Sequence, residues 1–298
     1  MSRLICNCRI ISQDTICRSV LTLLLMILAG VGCTESPFGS SSVSGGSRSV
    51  SGIVNLGDGA NPEGAVVFLD GFNLISRTDS DGSFLLTLPP PGAQGVSGMN
   101  GIFGLWFYVN NYAVDSASVV IRDGNFCYNA GDINKHGRLY AEKTLGKLVH
   151  IKTSIDPLVI DTSFSGDIRV TTTLTTAGPK QVTVWFPRLS EAGIAWIFLR
   201  HVETGEAFLV GTSLVGLHAS SKKTIGNTPL SLTFPFAIRG SRYPVGAYEI
   251  IPYLYVLHEH SPPGILNVIG VDTNDVGLEY LNIPFKRECA RLRIRFPN

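Results

Sequence analysis

Methionine and tryptophan are scarce, three of each in 298 residues, and no long stretch repeats apolar residues at the helical period. A helical bundle is therefore not expected. The plentiful Gly, Ser, Thr and Val suit sheets joined by tight turns. Charge of one sign is missing too, with 24 Lys and Arg against 23 Asp and Glu. No basic field exists to hold a phosphate backbone, so no nucleic-acid partner is expected. There is no G-x-S-x-G nucleophile elbow; the nearest stretch, Gly211 to Gly216, is one residue too long. No long apolar run occurs either. Val20 to Gly32 spans 13 residues, and a membrane-crossing helix needs roughly 20. The length leaves room for one large or two modest domains.

What is present begins with that short run. Arg3, Arg9 and Arg18 precede it and small residues end it, as in a secretory signal, so residues 1–32 read as a signal peptide. Removing them takes away three of the 24 basic and one of the 23 acidic residues, leaving 21 against 22. Gly30-Val31-Gly32-Cys33 resembles the lipobox of bacterial lipoproteins, in which the cysteine is acylated and becomes the new N-terminus. Gly30 departs from that pattern, which favours a Leu-like residue there. Gly30 and Gly32 also suit an ordinary signal peptidase cutting before Cys33. Both routes leave Cys33 first, and only lipidation anchors it. Thr34 stands where an Asp would resemble an inner-membrane retention signal, so the resemblance implies the outer membrane, with the protein facing the periplasm or the cell exterior. Residues 33–48 are dominated by Ser and Gly and read as a flexible tether reaching roughly 20–25 Å.

Residues 49–153 are read as a first domain. Gly52 to Leu56 and Ala65 to Leu69 are expected strands, divided by the turn signals Gly57-Asp58-Gly59 and Asn61-Pro62-Glu63-Gly64. Asp79-Ser80-Asp81-Gly82 predicts a hairpin turn with Gly82 at positive φ and Asp side chains on nearby amides. Residues 52–71 (GIVNLGDGANPEGAVVFLDG) and 78–91 (TDSDGSFLLTLPPP) together resemble the carboxypeptidase regulatory-like family. The resemblance implies a transthyretin-like Greek-key β-sandwich with a non-catalytic role as spacer, stabiliser or recognition module. The peptidase half of a zinc carboxypeptidase is absent, as is the Tyr-Arg-Gly-Ser ending of transthyretin-like hydrolases. Pro89 to Gly101 reads as an inserted loop. Further strands are expected at Leu105 to Val109, Ala117 to Ile121 and Lys147 to Lys152.

Residues 155–298 are read as a second β-sandwich. Ile168, Val170, Thr172 and Leu174 alternate with Arg169, Thr171, Thr173 and Thr175. Leu230, Leu232, Phe234 and Phe236 share one expected face, as do Ala290, Leu292, Ile294 and Phe296. Ile194 to Arg200 and Glu206 to Gly211 flank the turn Glu203-Thr204-Gly205. Residues 243–254 (YPVGAYEIIPYL) are similar in pattern to a penultimate strand of an immunoglobulin- or fibronectin-like sandwich. The fold class expected for the whole chain is all-β: signal, tether and two sandwiches.

Candidate chemistry is sparse. Trp106 and Tyr108 share one face of a strand, with Phe107 on the other, and read either as core or, with Trp196, as a sugar-stacking platform. His258-Glu259-His260 has a metal-like spacing, but zinc wants three or four ligands and none lies nearby in sequence, so no metal is expected. Asp132 to Gly137 partly matches a calcium loop, with His136 a poor ligand for a hard cation, and reads as a polar turn. An oxidising compartment would permit a bridge between Cys127 and Cys289. The reading that follows is a non-catalytic cell-envelope lipoprotein, without cofactor, serving recognition, adhesion or scaffolding through an unidentified protein or glycan partner. The alternative is a carbohydrate-binding accessory protein using its aromatics.

Overall fold

A computed structural model of the chain describes residues 47–94, 99–189, 194–212, 219–262 and 264–298. The expected signal peptide, Cys33, residues 34–46 of the tether, the stretch Ser213 to Gly216 and His218 lie outside the described residues. The protein is all-β: among the described residues the helical content is three short 3-10 turns and one four-residue helix, α1 (Ile265–Val268).

The N-terminal half contributes β1 (Ser49–Leu56), β2 (Val66–Leu69), β3 (Leu74–Arg77), β4 (Ser83–Thr87), β5 (Gly101–Tyr108), β6 (Asp115–Arg122), β7 (Asn125–Phe126) and β8 (Lys143–Leu145). They form two sheets, ordered β4-β1-β8 and β3-β2-β5-β6-β7. Between the sheets lies a core of Val50, Val54, Val67, Phe84, Leu105, Phe107, Val119 and their neighbours. Gly52 sits opposite Phe84 in the β1–β4 register. A Cβ there would come within 2.8 Å of the Phe84 ring, so only glycine lets the ring close over the strand. Gly82 has φ +81, and the Asp81 side chain accepts from the Ser83 amide at 2.9 Å, as the turn chemistry predicts. The expected hairpin is not formed, however. β3 pairs with β2 and β4 with β1, so this turn carries the chain from one sheet to the other.

The C-terminal half contributes β9 (Val149–Asp156), β10 (Val159–Asp161), β11 (Ser165–Thr176), β12 (Val182–Leu189), β13 (Trp196–His201), β14 (Ala207–Gly211), β15 (Ala219–Ile225), β16 (Leu230–Arg239), β17 (Gly246–Pro252), β18 (Tyr255–Val256) and β19 (Ala290–Arg295). The sheets are ordered β16-β11-β9, β10-β19-β17-β13-β14 and β15-β12-β18. Alternation works as expected on β11, β16 and β19, whose apolar residues enter a shared core with Ile197, Leu199 and Ile250. Phe296 is the exception: β19 ends at Arg295, and this ring is 69% exposed. The strand expected at Lys147 to Lys152 closes the second core rather than the first, because β9 pairs with β11 from Val149 to Asp156.

A third cluster joins the halves. Val66, Phe68 and Tyr108 from β2 and β5 pack with Phe198, Ile251, Tyr253, Tyr255, Ile265 and Tyr280. β2 is therefore buried on both faces, as is β13 between Ile197 and Phe198. Immediately after β5, two buried amides bind the halves. The Asn111 side chain donates to the carbonyls of Val149 (3.2 Å) and Lys286 (2.7 Å) and accepts from the Lys286 amide (3.0 Å). The Asn110 side chain accepts from the Val256 amide at 2.8 Å and donates to the Tyr108 hydroxyl.

Asn111→Ala would leave three main-chain groups without their partner in a dry setting. It should cost roughly 2–4 kcal/mol, read as a lower urea midpoint with an unchanged slope. A change below about 0.5 kcal/mol would show that the amide is not what joins the halves.

Candidate functional site

The residues with possible chemistry fall around the seam between the halves. Tyr108 is fully buried there, its hydroxyl receiving the Asn110 side-chain amide. Trp106 is half-buried against the same cluster, and its indole N–H is enclosed without a partner. Trp196 is half-buried between the second core and the seam, lying across Gly211, where a Cβ would meet its ring at 2.8 Å. The three rings are structural. They do not present a shared exposed face, so the sugar-stacking platform anticipated at Trp106, Tyr108 and Trp196 is not built. The reason is legible in register: Trp106 lies opposite Phe68, on the face of β5 that the second half covers.

His258 and His260 do not converge. After β18 the chain leaves the sheet, His260 is exposed, and His258 turns inward. Its Nε2 lies 2.8 Å from the Asn110 carbonyl oxygen, an acceptor only, so Nε2 carries the proton. The ring meets Tyr108 edge-on at 5.5 Å. Burial pushes the His258 imidazole below its usual 6.5, and the bond to Asn110 offsets part of that. His258, Glu259 and His260 line a cleft of about 440 Å³ with Val114, Leu148, Lys180 and Lys222. Among the described residues no group of three or more His, Cys, Asp or Glu could hold a metal ion.

The other candidates resolve into structure. His201 is a satisfied core histidine: Nδ1 accepts from the Thr204 amide at 3.2 Å, Nε2 faces the Val245 carbonyl, and the ring stands edge-on to Tyr248. Asn134 spends its side-chain oxygen on the amides of His136 (2.8 Å) and Arg138 (3.1 Å), and Asp132 accepts from the Ser118 amide. Those oxygens close a turn. The bridge between Cys127 and Cys289 is not formed; both thiols are free. Cys127 is tied by its amide to Val120 in the first sandwich, while Cys289 precedes β19 in the second.

A half-buried ion pair was not anticipated. Lys147 reaches Asp58 at 2.7 Å, and the Tyr112 hydroxyl donates to the same carboxylate at 2.9 and 3.0 Å. Burial raises the Asp58 carboxyl, but Lys147 and Tyr112 outweigh it and hold the group below its ordinary value. The signal was faint: Asp58 looked like one more turn residue between two glycines.

No family model matches the chain, and no curated protein matches it in sequence. Several solved structures share β-rich segments with it. A variant of BcpA, the major pilin subunit of Bacillus cereus, is 14% identical over 70% of this chain and 66% of the pilin, with a TM-score of 0.26. The major pilin SpaD from Corynebacterium diphtheriae is 10% identical over 68% of this chain and 60% of that one, with a TM-score of 0.30. The TIE protein of Bacillus anthracis gives 9%, 72%, 48% and 0.23 for the same quantities. The chain thus spans less than two thirds of SpaD and about half of the TIE protein. At these TM-scores the likeness carries no reading of function.

Because the folded His258 takes its proton at lower pH than the unfolded one, its share of stability is present above about pH 6.5 and lost as pH falls below it. The urea midpoint should drop between pH 7 and pH 5, and more in the wild type than in His258→Gln. Equal slopes in the two proteins would remove His258 as the cause. Alkylation of the denatured, unreduced protein should modify both Cys127 and Cys289; a mass two hydrogens short and resistant to alkylation would reinstate the bridge.

Proposed function

We propose that this chain is an exported, non-enzymatic protein of the cell envelope, acting as a rigid scaffold or recognition element. Cys33 is its acylated anchor at the head of the 33–48 spacer, as the lipobox-like sequence and the preceding arginines support. The first half is read as a transthyretin-like sandwich of the carboxypeptidase regulatory-like kind, on the strength of residues 52–71 and 78–91. Its partner is a protein or glycan of the surroundings.

The observation that carries this reading is the doubly buried seam. A recognition module hung on a flexible joint would leave the outer faces of β2 and β13 wet. Here Phe68, Tyr108, Phe198, Tyr253 and Tyr280 fill that space instead. Fixing two sandwiches against each other gives a body that transmits load and keeps its loops in register, which is what a scaffold needs. Among the described residues no helix is long and apolar enough to cross a membrane.

Cells fed labelled palmitate should yield labelled protein, and Cys33→Ala should lose the label and leave the membrane fraction. An unlabelled wild type would refute the anchor. For the scaffold, amide exchange in β2, β5, β13 and β17 should report one shared opening free energy; two separate values, one for each half, would count against it.

A further inference from the structure

A second cleft at the seam is lined by the Pro284 to Cys289 segment. It is a cleft of about 520 Å³, within the size range of small-molecule sites. Arg77, Arg200, Lys286, Arg287 and Arg291 line it, against two carboxylates, Glu63 and Glu249. Arg200 is paired with Glu249. Among the described residues no carboxylate lies within ion-pair distance of Arg77, Lys286, Arg287 or Arg291. In a chain whose formal charge is +1, this is a local excess of cations.

The cations are also held in place by neutral groups. Arg77 donates to the carbonyls of Gly64 (3.2 Å) and Asn282 (2.8 Å). Lys286 Nζ donates to the Glu63 carbonyl at 2.8 Å. Arg287 lies over the Phe285 ring at 4.5 Å and donates to the Tyr280 hydroxyl at 3.1 Å. Such contacts fix position without cancelling charge, and they leave further N–H groups free on each side chain. Burial draws Arg77 and Lys286 below their ordinary values, and the Glu63 charge offsets that only in part at Lys286, the mark of cations set in a partly dry place. A bound anion would relieve that cost and meet side chains already oriented for it.

We propose that this cleft binds a small molecule carrying clustered oxyanions, carboxylate or phosphate, through Arg77, Lys286, Arg287 and Arg291. The site does not need the chain to be exported or anchored; it lies at the seam and asks that the halves pack as they do here.

Calorimetric titration at low salt tests it, with citrate as the polycarboxylate probe, pyrophosphate as the phosphate probe and sucrose as the neutral control. Citrate, pyrophosphate or both should bind saturably, sucrose should not, and about 0.5 M sodium chloride should weaken the binding. Arg291 is exposed on β19, and among the described residues its side chain donates no hydrogen bond, so Arg291→Gln should fold normally, as its urea midpoint will show. Arg291→Gln and Lys286→Gln should each raise the dissociation constant roughly tenfold. Which anion binds more tightly identifies the chemistry of the ligand. Silence with both anions, or binding that neither correctly folded variant changes, would overturn the site.

Discussion

Two adjacent side-chain amides, Asn110 and Asn111, are the constraint on which the architecture turns. They are 2% and 0% exposed, and they meet four separate segments: the end of β5, the start of β9, the end of β18 and the Pro284 to Lys286 loop. In a dry interior every main-chain group that leaves a ladder must find another partner. Strands end at this point from both halves at once. An asparagine can donate and accept together, so one residue satisfies an orphan carbonyl and an orphan amide at the same place. No apolar side chain could fill that role, and a charged one would carry a cost that nothing here repays.

The amides act together with an aromatic layer. Phe198 and Tyr280 stack at 5.3 Å, and Tyr253 stands edge-on to Tyr280 at 4.7 Å. Their hydroxyls are not stranded: Tyr280 donates to the Leu254 carbonyl at 2.8 Å and Tyr253 to that of Asp275 at 3.1 Å. Burial pushes the Tyr108, Tyr255 and Tyr280 hydroxyls above their ordinary values, because a phenolate would lose its hydration there. Tyrosine suits a layer between sandwiches for this reason. It fills volume like phenylalanine and ties off the main chain at the layer's far side.

The outer sheets were legible in the sequence because one side of each faces water. On β9, β16, β19 and β11 from Ile168 onward every second residue turns inward, mostly apolar with Thr153 and Thr172 among them, and period two survives translation into structure. The seam was not legible by the same rule. Ala65 to Leu69, Leu105 to Val109 and Ala195 to Leu199 are unbroken apolar runs, and alternation disappears when both faces are dry. Those runs were the available signal that a second layer covers the strands. The same covering turned Tyr108, Trp106 and Trp196 from possible ligand contacts into packing, and drew His258 inward while His260 stayed in water. Asp58 looked like a turn residue, and nothing local marked Asn110 or Asn111, because their partners lie far away along the chain. Long-range pairing of polar groups has no period to detect.

Both clefts are bounded at the same two residues, one through its main chain and the other through its side chain. The Asn110 carbonyl holds the His258 ring at the wall of one, and the Asn111 side chain holds the Lys286 backbone at the wall of the other. Flat, twisted sheets offer little concavity of their own, so hollows form where two packed bodies fail to meet at their edges. Here each hollow is lined by residues of both halves. Whatever this chain recognises through these clefts therefore depends on the halves remaining locked, which makes the joint as much a part of any binding site as the side chains facing the solvent.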